Sequence, residues 1–284
     1  MTTISASAVK NLREVTGVAM MDCKKALVET NGDIEAAKDY LRKKGQAKAL
    51  KKSSRDTSEG AVGFSTSNDG KSAALLKVGC ETDFVARNAK FLEFIQKLTN
   101  QVCENGNDNL MSQNLISEDG NVEALLTKTI SELGENMQIL ESIKLEIGNG
   151  VIGGYIHSNG KIGVAVPLET DKPCHDNRLL MLARDLAMHI AAFPAEAVRA
   201  DQVSSEVLEK EKEVFTAQAR ESGKPDNIIE KMIEGRLKKF LKEVCVESQA
   251  FVKNPQISVN QLILKTSQEL GVKIEFRRFE KYQF

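Results

Sequence analysis

A phosphate-binding loop is the first chemistry to consider, because residues 68–72 read NDGKS. The GxxxxGK[ST] motif that cradles phosphates requires glycine at position 65, where this sequence has Ser65. The segment GYIHSNGK fails in the same way, since Tyr155 occupies the required glycine position. We therefore interpret both segments as hairpin turns, and the sequence predicts no cofactor and no small-molecule substrate.

The histidines and cysteines form no recognisable metal or catalytic group. His189 lies beside the apolar face of LARDLAMHIAAF, which is typical of a hydrogen-bonded core or boundary histidine. Cys174 and His175 are adjacent, so both side chains cannot face one metal ion. The five cysteines are widely spaced, without a CxxC pair, which favours neither disulfides nor zinc. His157 ends a predicted strand, where a contact role and a plain surface role both stay open.

The turn CETDFVARN, residues 80–88, raises a different kind of chemistry, that of binding another protein. It places Phe84 and Val85 where polar turn formers are expected. One interpretation packs both side chains inward with Phe91 as the first turn of a helix. The other offers Phe84 to a partner, since aromatic residues often dominate binding energy in small contact patches.

A second candidate contact is the pair Met20 and Met21 at the start of a predicted helix. Only one of two consecutive residues can comfortably face a three-helix core, so the other is expected at the surface. Methionine suits contact surfaces that must adapt to a partner, because its side chain is flexible and polarizable. The pair therefore strengthens the interpretation of this chain as a protein-binding protein rather than an enzyme.

Composition limits the possible partners and location. The chain has 284 residues, 41% apolar residues and a net charge of −1, typical of a cytoplasmic globular protein of about two domains. Residues 1–15 lack the apolar stretch of a signal peptide, and no run approaches the ~20 apolar residues of a membrane span. The basic run 42–55 lacks interleaved aromatic residues, so we interpret it as a solvated linker, with no direct nucleic-acid or membrane contact.

Three short helices are predicted before this linker. Apolar residues recur at helical spacing from Ile4 to Val15, and Gly17 ends that run. A second run extends from Met20 to Val28, and Asp33 is positioned as the N-cap of a third helix. Residues 1–55 are therefore predicted to form a compact helical module followed by its linker.

Two later segments resemble each other and indicate an internal duplication. Gly60, Gly63, Gly70 and Lys71 match Gly150, Gly153, Gly160 and Lys161 at a constant offset in GAVGFSTSNDGKS and GVIGGYIHSNGKI. Each copy reads as a hairpin followed by a helix, which predicts two related α+β subdomains, 56–148 and 149–284. Helices are expected at 88–104, 120–133 and about 176–193, with a strand around 137–148.

Residues 203–246 change character and predict an antiparallel helical hairpin inserted in the second subdomain. Charge density rises there, and SGKP at 222–225 supplies a glycine stop and a proline start between the two runs. Further along, Ser258 and Gln261 form a capping box for a helix that ends at Gly271. VKIEFRRF then reads as a last strand.

The motifs VKNLREVTGVAMMDCKKALVETNGDIEAAKDYLRKKG, ETDFVARN, GYIHSNGKIGVAV and AMHIAA closely resemble the elongation factor Ts family, the guanine-nucleotide exchange factors of the translation GTPase EF-Tu. The resemblance runs in order over nearly the whole chain. It implies an N-terminal module similar to a ubiquitin-associated domain, a core of two related subdomains and a helical-hairpin insertion. Longer family members continue into a further helical module, to which we assign no contacts because this sequence ends at FEKYQF.

The resemblance also implies roles for individual residues. In the family, the TDFV element displaces magnesium from EF-Tu and its Phe wedges between helices of the GTPase domain, which corresponds here to Thr82, Asp83, Phe84 and Val85. Other implied contacts with EF-Tu lie in the N-terminal module and the second hairpin: Leu12, Arg13, Met20, Met21, Lys24 and His157. A protein-binding adaptor that does not promote exchange is the alternative.

Overall fold

The computed structural model describes residues 4–220 and 225–284. The fold is mixed α+β, with N-terminal helices followed by several small antiparallel sheets interleaved with helices. Its contacts divide the chain into two compact units. The first contains Met1–Gly63, Leu76–Lys144 and Gln283–Phe284, and the second contains Phe64–Leu75 and Leu145–Tyr282. In the part of the chain that is described, no helix is both long and apolar enough to cross a bilayer.

The first unit begins with the three predicted helices. They are α1 (Ala6–Thr16), α2 (Met20–Glu29) and α3 (Ile34–Lys52). The Asp33 carboxylate caps α3 by accepting from the Ala36 N–H at 3.0 Å, as the sequence predicts. Gly17 ends α1 with a φ of 70°. The apolar stripes of the helices meet in one small core, which includes Val9, Leu12, Cys23, Ala26, Leu27, Ala37 and Leu41.

The expectation of a solvated linker at 42–55 is wrong for most of that run, because α3 continues to Lys52. Alanine, leucine and lysine, which fill residues 47–52, are strong helix formers. The helix also packs against α6 (Val122–Leu133), where a Cβ on the buried Gly45 would lie 2.9 Å from the Ser131 hydroxyl oxygen. Packing on one face therefore stabilises a helix whose other faces carry solvated charge.

The rest of the first unit contains further helices and the larger part of each strand of a sheet. A three-stranded sheet has the order β1 (Glu59–Thr66), β2 (Ser72–Cys80) and β3 (Met137–Glu146). The chain after β2 forms the short α4 (Asp83–Ala86) and then α5 (Ala89–Asn105). The predicted helices at 88–104 and 120–133 and the predicted strand at 137–148 are thus confirmed to within a few residues. A separate α4 was not predicted.

The second unit is built around another hairpin and helix. Strand β4 (Gly150–Ile156) pairs antiparallel with β5 (Ile162–Thr170), from Gly150 opposite Glu169 to Ile156 opposite Gly163. Helix α7 (Asn177–Ala192) packs on both strands. The common core includes Val164, Val166, Leu168, Leu179, Leu182 and Leu186. A small ribbon of β6 (Ala250–Phe251) and β7 (Asn254–Ser258) was not predicted from the sequence.

Helices α8 (Ser205–Arg220) and α9 (Asp226–Val244) pack against each other, as the apolar spacing predicts. The Arg236 guanidinium lies 5.7 Å from the centre of the Phe215 ring and donates to the Gln218 side-chain oxygen at 2.6 Å. The predicted glycine stop at residues 222–224 lies outside the described residues, whereas Pro225 directly precedes α9.

The C-terminal prediction is right for the helix and wrong for the strand. Helix α10 (Val259–Leu270) begins with both hydrogen bonds of the Ser258 and Gln261 capping box and ends at Gly271. VKIEFRRF does not form one strand, because β8 contains only Ile274–Glu275, paired with the last two residues of β5. A separate β9 (Glu280–Gln283) also pairs with β5. In this register Arg277 would lie opposite Pro167 of β5, which has no N–H to donate to a continued strand pairing.

Two glycines start the two hairpins with the same unusual backbone. Gly60 has a φ of 155° and Gly150 a φ of 120°, a region that L side chains rarely adopt. A Cβ at Gly60 would lie 2.1 Å from the Val78 carbonyl oxygen, and a Cβ at Gly150 would lie 2.0 Å from that of Leu168. Both positions therefore require glycine for the close approach of the paired strand.

We expect Gly150→Ala to destabilise the protein by about 2 kcal/mol or more, because the new methyl group meets a backbone oxygen and the φ angle becomes strained. Gly235→Ala is the matched control, since Gly235 lies inside α9 with open space around it. The control should stabilise its helix by up to about 1 kcal/mol. Denaturant unfolding of both variants checks this, and equal stability for the two would contradict the assignment.

Asp22 generates a pH-dependent prediction for the N-terminal helices. Its carboxylate pairs with Lys48 at 2.7 Å and Lys44 at 3.0 Å. The hydrogen bond from Lys48 is the main cause that lowers the pKa of Asp22, with Lys44 adding to it and partial burial opposing. Because the folded-state pKa lies below the unfolded value of about 3.9, this stabilisation is present above that pH and disappears as pH falls through the folded-state pKa.

We therefore expect Asp22→Asn to cost about 1 kcal/mol near pH 7 and progressively less below pH 4, where the wild-type carboxylate also becomes protonated. Urea unfolding of both proteins at several pH values measures the difference. A difference that stays constant from pH 7 to pH 3 would show that the charge of Asp22 does not stabilise the fold.

Candidate functional site

The segment between β2 and α5 forms one helical turn, α4, with Thr82 at its N-cap. The Thr82 hydroxyl oxygen accepts a hydrogen bond from the Val85 N–H at 3.4 Å, and the Ala86 N–H donates to the Thr82 carbonyl at 3.1 Å. Asn88 then caps α5 by accepting from the Lys90 N–H at 2.9 Å. Two N-caps in close succession therefore define the turn, which we call the TDFV turn (residues 82–85).

The two apolar residues of the TDFV turn point to opposite environments. Phe84 is 84% exposed, whereas Val85 is only 8% exposed. Consecutive helical residues differ by about 100° in direction, so a single turn can bury one and expose the other. The interpretation in which both pack inward is right for Val85 and wrong for Phe84. An isolated benzyl group in water is the strongest contact candidate in this segment.

Asp83 lies next to Phe84 with its side chain nearly half exposed. Its carboxylate forms an ion pair with Arg87 at 3.3 Å, one helical turn further along. Both partners are open to solvent, so the pair contributes little to stability and can be exchanged for other partners. Among residues 4–220 and 225–284, no group of three potential ligands is arranged to hold a metal ion.

Two carboxylates, Glu135 and Glu81, connect the TDFV turn to the segment between α6 and β3. Glu135 accepts hydrogen bonds from the Thr82 N–H at 3.0 Å and the Thr82 hydroxyl at 2.6 Å. In the reverse direction, Glu81 accepts from the Asn136 N–H at 2.6 Å and pairs with Arg55 at 3.3 Å. The Asn136 N–H is the main cause that lowers the pKa of Glu81, with Arg55 adding to it. The hydrogen bonds between the two segments are therefore accepted by a charged carboxylate on each side.

The sequence does not reveal these anchors. Thr82 and Glu135 are separated by 53 residues, and a single glutamate in a polar turn carries no periodic signal. The pairing of β2 with β3 brings the two segments together.

The predicted contact residues of the N-terminal helices are mostly at the surface. Met20 and Met21 are 45% and 64% exposed, so neither methionine faces the core. Arg13 and Lys24 are exposed as well. Leu12, in contrast, is fully buried in the core of the three helices. It can therefore act on a partner only through the helices that it holds in place.

The histidines have the two environments considered from the sequence. His157 is exposed in the turn after β4, and its Nδ1 lies 3.1 Å from the Tyr155 hydroxyl. His189 is fully buried in α7, as predicted for a core histidine. Its Nδ1 accepts from the Val252 N–H at 3.2 Å, so its Nε2 carries the proton and donates to Gln249 at 2.7 Å. Burial lowers the pKa of His189.

The segment NDGKS at 68–72 forms the predicted hairpin turn rather than a phosphate loop. Ser67 N–H donates to the Ser72 carbonyl at 2.8 Å, and the Asp69 carboxylate accepts from the Lys71 N–H at 3.0 Å. The turn connects two neighbouring strands, β1 and β2, whereas a phosphate loop leads from a strand into a helix.

Comparison with known proteins agrees with these features. A family model described as Elongation factor TS matches residues 81–283. The chain is 44% identical to elongation factor Ts of Clostridium novyi (strain NT) over 284 residues, which is 99% of this chain and 92% of that protein. It is 42% identical to elongation factor Ts of Lawsonia intracellularis (strain PHE/MN1-00) over 288 residues, which covers 99% and 98% of the two chains.

A third relative, elongation factor Ts of Magnetococcus marinus (strain ATCC BAA-1437 / JCM 17883 / MC-1), is 44% identical over 283 residues, 99% of this chain and 92% of that protein. The matched region of the family model contains the TDFV turn, the junction between β5 and α7, and the helices α8 and α9. The chain therefore belongs to the elongation factor Ts family, the nucleotide exchange factors for EF-Tu in translation elongation.

Proposed function

We propose that the TDFV turn is the element with which this exchange factor opens the nucleotide site of EF-Tu, and that Phe84 is its wedge. The observation that carries the proposal is the exposed Phe84 ring beside the buried Val85, on a turn fixed by Thr82. Members of this family act on EF-Tu in the bacterial cytoplasm as exchange factors, not as enzymes. The site therefore acts through the free energy of binding and does not make or break covalent bonds.

Exchange requires a difference in affinity between two states of the partner. The factor must bind nucleotide-free EF-Tu more tightly than the GDP form, and GDP must then weaken binding of the factor by the same ratio. Burying one Phe side chain contributes about 1.5–3 kcal/mol. If the pocket for Phe84 opens only in the empty state, burial of the ring alone weakens the binding of GDP to EF-Tu by about 10- to 150-fold.

Asp83 has an electrostatic role in this proposal. Magnesium and the phosphates of GDP are the largest charges in the nucleotide site of the partner. When Asp83 leaves its ion pair with Arg87 and enters this site, its carboxylate changes the balance of charge around the metal. Thr82 fixes the start of the turn and Val85 fixes it to the body of the protein, so Asp83 and Phe84 are the residues presented to the partner.

We assign the grip on the GTPase domain to the exposed surface of α1 and the first half of α2, up to Lys24. Met20 and Met21 supply adaptable apolar contacts, and Arg13 and Lys24 supply charge. Leu12 contributes by holding the helices together from the core. His157, exposed in the second hairpin, is assigned to a separate contact with another domain of EF-Tu.

The finer architecture is part of the same proposal. Residues 1–55 comprise a ubiquitin-associated-like three-helix module and the segment that follows its helices. Residues 56–148 and 149–284 form two related α+β subdomains. The matching backbone of Gly60 and Gly150 supports a common origin of the two hairpins. Helices α8 and α9, within about 203–246, form an insertion in the second subdomain.

Phe84→Ala tests the wedge. We expect the maximal rate of factor-stimulated GDP release from EF-Tu to fall about 10-fold or more, because the variant loses the burial energy of the ring. Association with the GDP-bound form of EF-Tu should weaken much less, since the N-terminal helices still bind. Stopped-flow release of a fluorescent GDP analogue, at increasing concentrations of the factor, separates the two effects.

Two further variants control the wedge experiment. Phe84→Leu keeps an apolar side chain of smaller size and should retain part of the rate. Leu264→Ala removes another exposed apolar side chain, on α10, and should leave the rate unchanged. An unchanged rate for Phe84→Ala rules out the wedge, and a wild-type protein that leaves GDP release unaffected restores the adaptor interpretation.

Met20→Ala tests the grip. We expect the dissociation constant for EF-Tu to rise about 3- to 10-fold, as for a contact residue worth about 1 kcal/mol, with the maximal release rate nearly unchanged. Val28→Ala, at the other end of α2, is the matched control for an exposed apolar residue. Calorimetric titration measures both, and wild-type affinity for Met20→Ala would remove this residue from the interface.

A further inference from the structure

The carboxylate of Glu135 accepts two hydrogen bonds from one residue of the TDFV turn. One oxygen accepts the Thr82 N–H at 3.0 Å, and the other accepts the Thr82 hydroxyl proton at 2.6 Å. Hydrogen bonds to an ionised acceptor are about twice as strong as those between neutral groups. The backbone and the side chain of Thr82 are thus held from the same side by one charged group.

This contact also decides how Thr82 caps α4. A hydroxyl group has a single proton and two lone pairs. Because the proton is donated to Glu135, a lone pair of the same oxygen is left to accept the Val85 N–H. Without Glu135, the hydroxyl proton can rotate toward solvent or toward the helix end, and the cap loses its fixed orientation. The position of Phe84, between Thr82 and Val85 in the chain, depends on that cap.

Glu135 is itself well located for this purpose. It follows Gly134, which ends α6 with a φ of 81° and whose carbonyl accepts a hydrogen bond from Lys52 of α3. The next residue, Asn136, is buried and donates its N–H to Glu81 at 2.6 Å. Each of these two segments therefore accepts hydrogen bonds from the other through a carboxylate. Glu135 accepts from Thr82, and Glu81 accepts from Asn136.

We infer that Glu135 is a positioning residue for nucleotide exchange, which acts through Thr82 to hold Phe84 in its exposed orientation. The inference rests on the proposed role of the TDFV turn. A wedge whose backbone is already ordered loses less conformational entropy when it enters the partner, so more of its burial energy is available to open the nucleotide site. Glu135 need not touch EF-Tu to have this effect.

The test compares Glu135→Ala with the isosteric Thr82→Val, each mixed with EF-Tu that carries a fluorescent GDP analogue. We expect each variant to lower the maximal rate of GDP release about 10-fold, with the half-saturating concentration of factor changed less than about twofold. Glu135→Gln, which keeps one carbonyl acceptor, should lose about threefold. The double variant should lose less than the product of the two single losses, because both variants remove the same hydrogen bond from the Thr82 hydroxyl to Glu135.

A control is Glu118→Ala, which removes a carboxylate paired with Lys97 at 2.9 Å outside the TDFV turn. This variant should release GDP at the wild-type rate. Amide hydrogen exchange at Thr82 gives a second readout, and we expect faster exchange in Glu135→Ala while exchange in α5 stays unchanged. If Glu135→Ala unfolds, Glu135→Gln and Thr82→Val carry the test.

The outcomes separate this inference from the proposal on which it rests. If Phe84→Ala is slow but folded Glu135 and Thr82 variants release GDP at the wild-type rate, the positioning role is overturned and the wedge stands. Additive losses in the double variant would also overturn it, since the two residues would then act independently. If Phe84→Ala itself is as fast as wild type, the wedge fails first.

Discussion

One constraint governs the site: an aromatic ring must be kept in water while its neighbour in the chain is buried. Folding normally removes large apolar groups from water, and full burial of a Phe contributes about 1.5–3 kcal/mol. Here Val85 is buried and Phe84 is left out, because the single turn α4 directs the two side chains to different sides. The energy that folding does not use for Phe84 remains available for binding a partner.

Holding such a ring in place requires a rigid support, and the first unit supplies it. The end of β2 and the connection between α6 and β3 exchange hydrogen bonds to Glu81 and Glu135. The same connection is bonded to α3 through Lys52. The helices that we assign to the grip on EF-Tu and the turn that we assign to its nucleotide site thus belong to one compact unit. Docking of α1 and α2 on EF-Tu can therefore orient the TDFV turn toward the nucleotide site.

Local patterns predicted most of the elements, and long-range contacts account for the errors. Helical spacing, the Asp33 cap and the capping box at Ser258 are read from neighbouring residues, and the structure confirms them. The basic run after Leu41 was misread, because its helix depends on Asp22 from α2 and on packing of Gly45 against α6. Likewise, Glu135 is too far from Thr82 in the chain for any local pattern to connect them, whereas the resemblance of ETDFVARN to a known family pointed to the turn itself.

In the proposed mechanism, Phe84 prefers the empty form of EF-Tu to the GDP-bound form. The most direct measurement is the affinity of wild-type protein and Phe84→Ala for EF-Tu in each of these two forms, by calorimetry at one magnesium concentration. We expect the variant to lose about 10-fold or more in affinity for the empty form and little for the GDP form, so that the ratio of the two affinities shrinks. Equal losses for both forms would contradict it, because the ring would then bind without favouring release.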